Sequence, residues 1–191
     1  TTGVAADASY SGDKGSRGDN RSDVRHKTLW GTLMAGGAGV EYYFGYQTGV
    51  TDLTAEDGRS RKTKWEDAKL ALDFFNDYLP FWAMESRDEL ISKSGSYCFA
   101  KTGEIYVVYI PDSGTESLNL SGVSGTYSVR WYNPRSGGSL KQGSVATING
   151  GGVRNLGTAP TDTGADWVAL VEKTSDSGGE GGGTGSGAVP W

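Results

Sequence analysis

One cysteine, one histidine, two methionines and five prolines stand in 191 residues, and each scarcity removes a class of structure. A lone Cys98 can close no intrachain disulfide and build no thiolate metal cluster. A lone His26 excludes the His-Glu-x-x-His pair of a zinc peptidase, and with no activated serine or cysteine nearby it reads as a structural residue. No run reaches the ~18 consecutive apolar residues of a membrane span. The polar start Thr1-Thr2-Gly3 has neither the basic nor the apolar region of a signal peptide, so any such signal is expected to be already removed or far upstream. Basic charge is also in deficit, with 18 Lys and Arg against 23 Asp and Glu, a formal net charge of -5. With no basic stripe on offer, neither nucleic acid nor an anionic membrane is an expected partner.

Hydrophobic residues at 36% and charged residues at 21% suffice for a folded core. The first 23 residues are Gly-, Ser-, Asp- and Arg-rich and predict a long loop. The Arg17-Gly18-Asp19 triplet in it is a chance match for such a composition. Asp13, Asp19 and Asp23 lack the spacing of a calcium loop, and no metal site is expected. From Ser22 or Asp23, Val24, Leu29, Trp30, Leu33 and Met34 keep a helical spacing that Gly36-Gly37 stops. Val40, Tyr42 and Phe44 then read as a short buried strand over 40–44. A second helix is predicted from about residue 56 to 78. Its stripe would be Trp65, Ala68, Leu72 and Phe75, widened by Leu70 and Phe74, and Pro80 ends it.

Beyond residue 85 the pattern becomes short strands, at 96–100, 104–110, 117–120, 126–133, 139–148 and 166–171, separated by turn residues as in an all-β sandwich. The stretch 105–110 is apolar on both faces and predicts a central strand. Tyr127, Val129 and Trp131 share one face and Ser128, Arg130 and Tyr132 the other, so the first set is expected in the core. Residues 175–190 are Gly- and Ser-rich, as in a flexible linker.

Two segments, RHKTLWGTLMAGGAGVEYYFGY at 25–46 and DLTAEDGRSRKTKWEDAKLALDFF at 52–75, resemble the eighth strand and helix of the apiosidase-like (β/α)8 glycoside hydrolases. Ala55 and Gly58 depart from that pattern, where a cysteine and a tryptophan are expected. LPFWAME at 79–85, YCFAKTGEIYVVYIP at 97–111, GTYSVRWYNPRSGG at 125–138 and DWVALV at 166–171 resemble a C-terminal domain named for the collagen-binding domain of a collagenase. The resemblance implies an α/β plus all-β chain: the last βα unit of a TIM-type barrel over 1–82, a small antiparallel β-sandwich over 83–173, and a linker or tail over 174–191. It implies a secreted or periplasmic protein with no cofactor. Its partners would be a polysaccharide or oligosaccharide, collagen as a second candidate, and the remainder of the barrel.

Glycoside hydrolysis needs two carboxyl groups held across the scissile bond. In the family these follow barrel strands four and seven, so the catalytic pair is expected upstream of Thr1 and the chain alone is expected to be inactive. The substrate-binding candidates are Glu41, Tyr43, Tyr46 and Asp52, near the C-terminal end of the barrel strand where such sites are built. For Glu41 the alternative is a carboxylate paired with an arginine inside the barrel. Asp52, like Glu56 and Asp57, also suits a helix N-terminus. Arg130, Tyr132 and Trp167 form either a sugar- or peptide-binding patch or, as the favoured reading, a surface on which the sandwich docks against the barrel. Two other functions stay open: a collagen- or carbohydrate-binding module without catalysis, and a purely structural packing domain.

Overall fold

The computed structural model describes residues 21–41, 62–112 and 115–174. The chain enters through a helical run made of α1 (Arg21–Asp23), a π-helical stretch (Val24–Trp30) and α2 (Gly31–Met34). Its end is a Schellman motif. The Gly37 amide donates to the Thr32 carbonyl and the Gly36 amide to that of Leu33, with Gly36 at φ +81°, a conformation a side chain would disfavour. α3 spans Lys62–Tyr78, and the chain then turns through a single 3₁₀ turn at Phe81–Ala83.

The strands are β1 (Glu85–Ser86), β2 (Tyr97–Lys101), β3 (Ile105–Ile110), β4 (Ser117–Asn119), β5 (Thr126–Tyr132), β6 (Thr147–Asn149), β7 (Val153–Asn155) and β8 (Trp167–Lys173). Six form one sheet in the order β1-β2-β3-β8-β5-β6, and β4 pairs with β7 in a second. Every pairing is antiparallel. β3 is central and buried along its whole length, as its two apolar faces require.

Alternation along the large sheet feeds two cores. Tyr106, Val108, Tyr127, Val129, Trp131 and Trp167 point towards the β4–β7 layer, where Leu118, Leu120 and Leu156 close the sandwich. Phe99, Val107, Tyr109, Tyr132, Val168 and Leu170 point the other way. They meet Trp30, Met34, Phe74 and Phe75 from the helices. Each fully buried side chain of this size contributes roughly 1.5–3 kcal/mol, so both layers are substantial. The Trp30 indole stacks on the Tyr109 ring at a centroid distance of 5.0 Å. The Tyr132 hydroxyl donates to the Leu70 carbonyl at 2.8 Å, tying α3 to β5. The architecture is a β-sandwich with a helical layer on its outer face.

Several expectations need correction. Among the described residues there is no barrel strand; Val40 and Glu41 are irregular, and 42–44 lie outside the described residues. α3 buries Lys64, Asp67, Ala71, Phe74 and Phe75; Phe74 and Phe75 fall in the predicted stripe, whereas Trp65 and Leu72, also expected there, are half exposed. The buried row contains charged residues, which a hydrophobicity pattern rejects. The predicted strand 139–148 is mostly loop, keeping only an isolated Trp131–Lys141 bridge before β6. β1 and β7 are too short to leave an apolar alternation.

Candidate functional site

Of the four predicted substrate-binding residues, the structure describes only Glu41; Tyr43, Tyr46 and Asp52 lie outside the described residues. Glu41 is exposed and stands at the rim of a groove lined by Leu29, Val40, Trp65 and Ala68. The proposed patch of Arg130, Tyr132 and Trp167 does not exist. Tyr132 and Trp167 are buried on opposite faces of the large sheet, and only Arg130 is exposed. His26 places its Nε2 3.1 Å from the Gly95 carbonyl and its ring beside Tyr97 and Tyr109, a packing role.

A buried charge cluster, unforeseen in the sequence, sits where the helical layer meets the sheet. Arg25 forks onto Asp166, Nε to Oδ2 at 2.8 Å and Nη2 to Oδ1 at 3.1 Å. Its Nη1 lies 3.6 Å from Asp67 Oδ2, which also accepts from Arg21 Nε at 2.9 Å. Asp166 further accepts from the Tyr109 hydroxyl at 2.7 Å and from Arg135 Nη1 at 3.0 Å. Arg135 in turn lies over the Trp167 ring, 5.4 Å from its centroid.

Burial acts to raise the Asp166 carboxyl, but the hydrogen bond and charge of Arg25, with those of Tyr109 and Arg135, outweigh it and hold the group below the usual carboxylate range. The Arg25 guanidinium is opposed by burial too, and Asp166 pushes it above its ordinary value. Asp166 is therefore locked as an anion and cannot deliver a proton to a leaving group. Asp67 and Asp166 are both closed off from solvent, so the cluster clamps helix to sheet rather than performing chemistry. The signal available in the sequence was slight: an arginine beside apolar Val24, and an aspartate opening an apolar strand.

Outside that cluster, Glu116 is the buried acid among the described residues, and it too is fully supplied with donors. It accepts from the Ser92 hydroxyl at 2.8 Å and from the backbone amides of Ser92, Lys93 and Ser117, which pins the 92–93 turn to β4. Burial pushes the Cys98 thiol well up, keeping it neutral. Among the described residues no group of three or more His, Cys, Asp or Glu side chains is placed to hold a metal ion, and no helix is long and apolar enough to cross a membrane.

Among the described residues an apolar hollow lies beside the helices. Two hollows of about 410 and 430 Å³ share Leu33, Ala38 and Leu72 and run together as one groove between the 21–41 segment and α3. Phe75, Phe99 and Met84 line its deeper part, with Phe81 and Trp82 beside them.

Residues 88–172 match a family model described as "Putative collagen-binding domain of a collagenase". Among solved structures, the chain is similar to a glycoside hydrolase family 5 protein from Bacteroides vulgatus ATCC 8482, at 17% identity and a TM-score of 0.60, over 81% of this chain and 36% of that one. It is also similar to a structure titled glycoside hydrolase, at 16% identity and a TM-score of 0.59, over 81% of this chain and 37% of that one. At these identities the likeness is one of fold. It extends into the helical layer, since 83–191 alone cannot supply 81% of the chain. The chain spans just over a third of the length of the structures it matches. No curated protein matches it.

Proposed function

We propose that this chain is an accessory C-terminal part of a secreted or periplasmic glycoside hydrolase of the apiosidase-like kind, acting on polysaccharide or oligosaccharide. In this reading the helices and the sandwich brace a catalytic barrel and contribute Glu41, with Tyr43, Tyr46 and Asp52, to the substrate side. The observation that carries it is the common apolar core of helices and large sheet, in which Trp30, Phe74 and Phe75 pack on Phe99, Tyr109 and Leu170. A sandwich that served only as a tethered binding module would have no need of a helical layer built into its sheet. The likeness of fold to proteins titled glycoside hydrolases, helices included, supports the same reading. The described acids at the helix–sheet junction are buried and ion-paired, so the catalytic pair, an acid and a nucleophile or base, is assigned to residues outside the described set.

The test is to compare the 191-residue chain with the polypeptide translated from its complete reading frame, on plant and bacterial polysaccharides and aryl glycosides. Hydrolysis by the complete polypeptide only is the expected result. Turnover by the 191-residue chain that disappears on Glu41→Gln would overturn the assignment of the catalytic pair.

A second reading, a module that binds collagen or carbohydrate, is favoured by the family match over residues 88–172. Its weakness is the sandwich surface: of the aromatic side chains on its described strands, only Tyr97 is even partly exposed, whereas sugar and peptide grooves present open rings. Co-sedimentation with fibrillar collagen and with insoluble polysaccharides decides between the two.

A further inference from the structure

Exposed apolar bulk is unevenly distributed over the described residues. Leu72, Phe81 and Trp82 are 48%, 41% and 79% exposed and gather on the helical side, whereas on the sandwich only Val153, at 60%, is comparably open. Leu72 and Trp82 line the groove described above, whose deeper wall is Phe75 and Phe99. Those two residues belong to the helix–sheet core, so the groove is an open continuation of an interface that is already apolar. α3 accordingly has two apolar faces, Ala71, Phe74 and Phe75 towards the sheet and Ala68 with Leu72 towards the groove. A helix apolar on two sides is one that is covered on two sides.

We propose that this groove is the docking face for the catalytic module of a glycoside hydrolase, an inference that rests on the function proposed above. The occupant is a folded, apolar protein surface rather than a glycan. Apart from the Trp65 and Trp82 indole N–H groups, the described lining offers Asn76 and, at the rim that turns to the substrate side, Glu41, too few polar groups to satisfy the hydroxyls of a sugar ring taken out of water within the groove. The fold-related glycoside hydrolases have the bulk to cover such a face, because most of each chain lies outside the part this protein matches. A contiguous apolar patch of this kind marks a contact surface.

Thiol labelling tests the proposal, because Cys98 is buried and leaves the background low. Leu72→Cys and, as a control on the sandwich, Val153→Cys are introduced into the 191-residue chain and into the polypeptide from the complete reading frame, and maleimide labelling rates are measured. The expected result is fast labelling of both in the short chain, and protection of Leu72→Cys alone, by an order of magnitude or more, in the complete polypeptide. Protection of Leu72→Cys already in the short chain overturns the inference: if it grows with protein concentration the occupant is a second copy, and if it does not the occupant is another segment of the same chain. Fast labelling of Leu72→Cys in a complete polypeptide that hydrolyses glycans also overturns it, while leaving the proposed function standing. A complete reading frame with no further module removes both.

Discussion

Arg25 and Asp166 stand 141 residues apart in the chain, yet they meet in a two-pronged ion pair at 2.8 and 3.1 Å. That pair fixes the helical layer to the entrance of β8. Both partners are withdrawn from water, so its value lies less in net attraction than in the penalty for leaving either charge alone.

Asp166→Asn is expected to cost about 3–5 kcal/mol, the range for removing one member of a buried pair, because it strands Arg25 and weakens the hold on Arg135. Urea unfolding followed by far-ultraviolet circular dichroism measures it. A loss within the scatter of surface substitutions would show that the cluster does not clamp the helices.

The same group sets the acid limb of stability. The folded Asp166 carboxyl lies below its unfolded value, so the folded state binds fewer protons. The stabilisation it brings is complete above the unfolded aspartate value of about 3.9 and fades as pH falls from there through the lower folded value. Acid titration of thermal stability should show this loss in the wild type and a flatter limb in Asp166→Asn.

Tyr132 gives the alkaline counterpart. Burial is the main cause that raises its hydroxyl to about 12, and the nearby Asp73 adds to it. An unfolded tyrosine ionises near about 10, so stability is intact below that value and is lost as pH rises from there towards 12. Tyr132→Phe should remove part of this alkaline loss. At neutral pH it should cost about 0.5–1.5 kcal/mol for the hydrogen bond to the Leu70 carbonyl. Melting temperatures across the alkaline range read both effects.

Trp131 is fully buried in the sandwich core, and its amide and carbonyl both bond to Lys141. Trp131→Ala is expected to cost about 3–5 kcal/mol by cavity formation. Near-wild-type thermal stability of this variant would contradict the core assignment.

Cys98, on β2, is sealed in the sandwich core and its thiol is pushed up by burial. Thiol reagents should therefore leave the native chain unmodified at neutral pH and react with it fully in denaturant. Stoichiometric native labelling would place Cys98 at the surface instead.

The longer strands, β2, β3, β5 and β8, were legible in the residue order because strand patterning is a local property. Alternation in 126–132 put Tyr127, Val129 and Trp131 on one face, and the doubly apolar run 105–110 could only be a central strand. The helical ends were equally plain, since Gly36-Gly37 and Pro80 act within one turn. What the sequence could not reveal was that the buried face of α3, expected at Phe74 and Phe75, continues through Lys64 and Asp67. Its row through Lys64 and Asp67 looks solvent-facing until Arg21 and Arg25 arrive from another part of the chain to neutralise Asp67. The apolar stretch at 79–82 shows the same dependence on tertiary context. Leu79 is buried in the helix–sheet core while Trp82 projects outward. Hydrophobic period and turn chemistry thus determined the longer strands and the helix ends, but neither the short β1 and β7 nor the loop before β6. Only the tertiary structure decided how charges far apart in sequence are paired, and therefore which apolar side chains remain open to a partner.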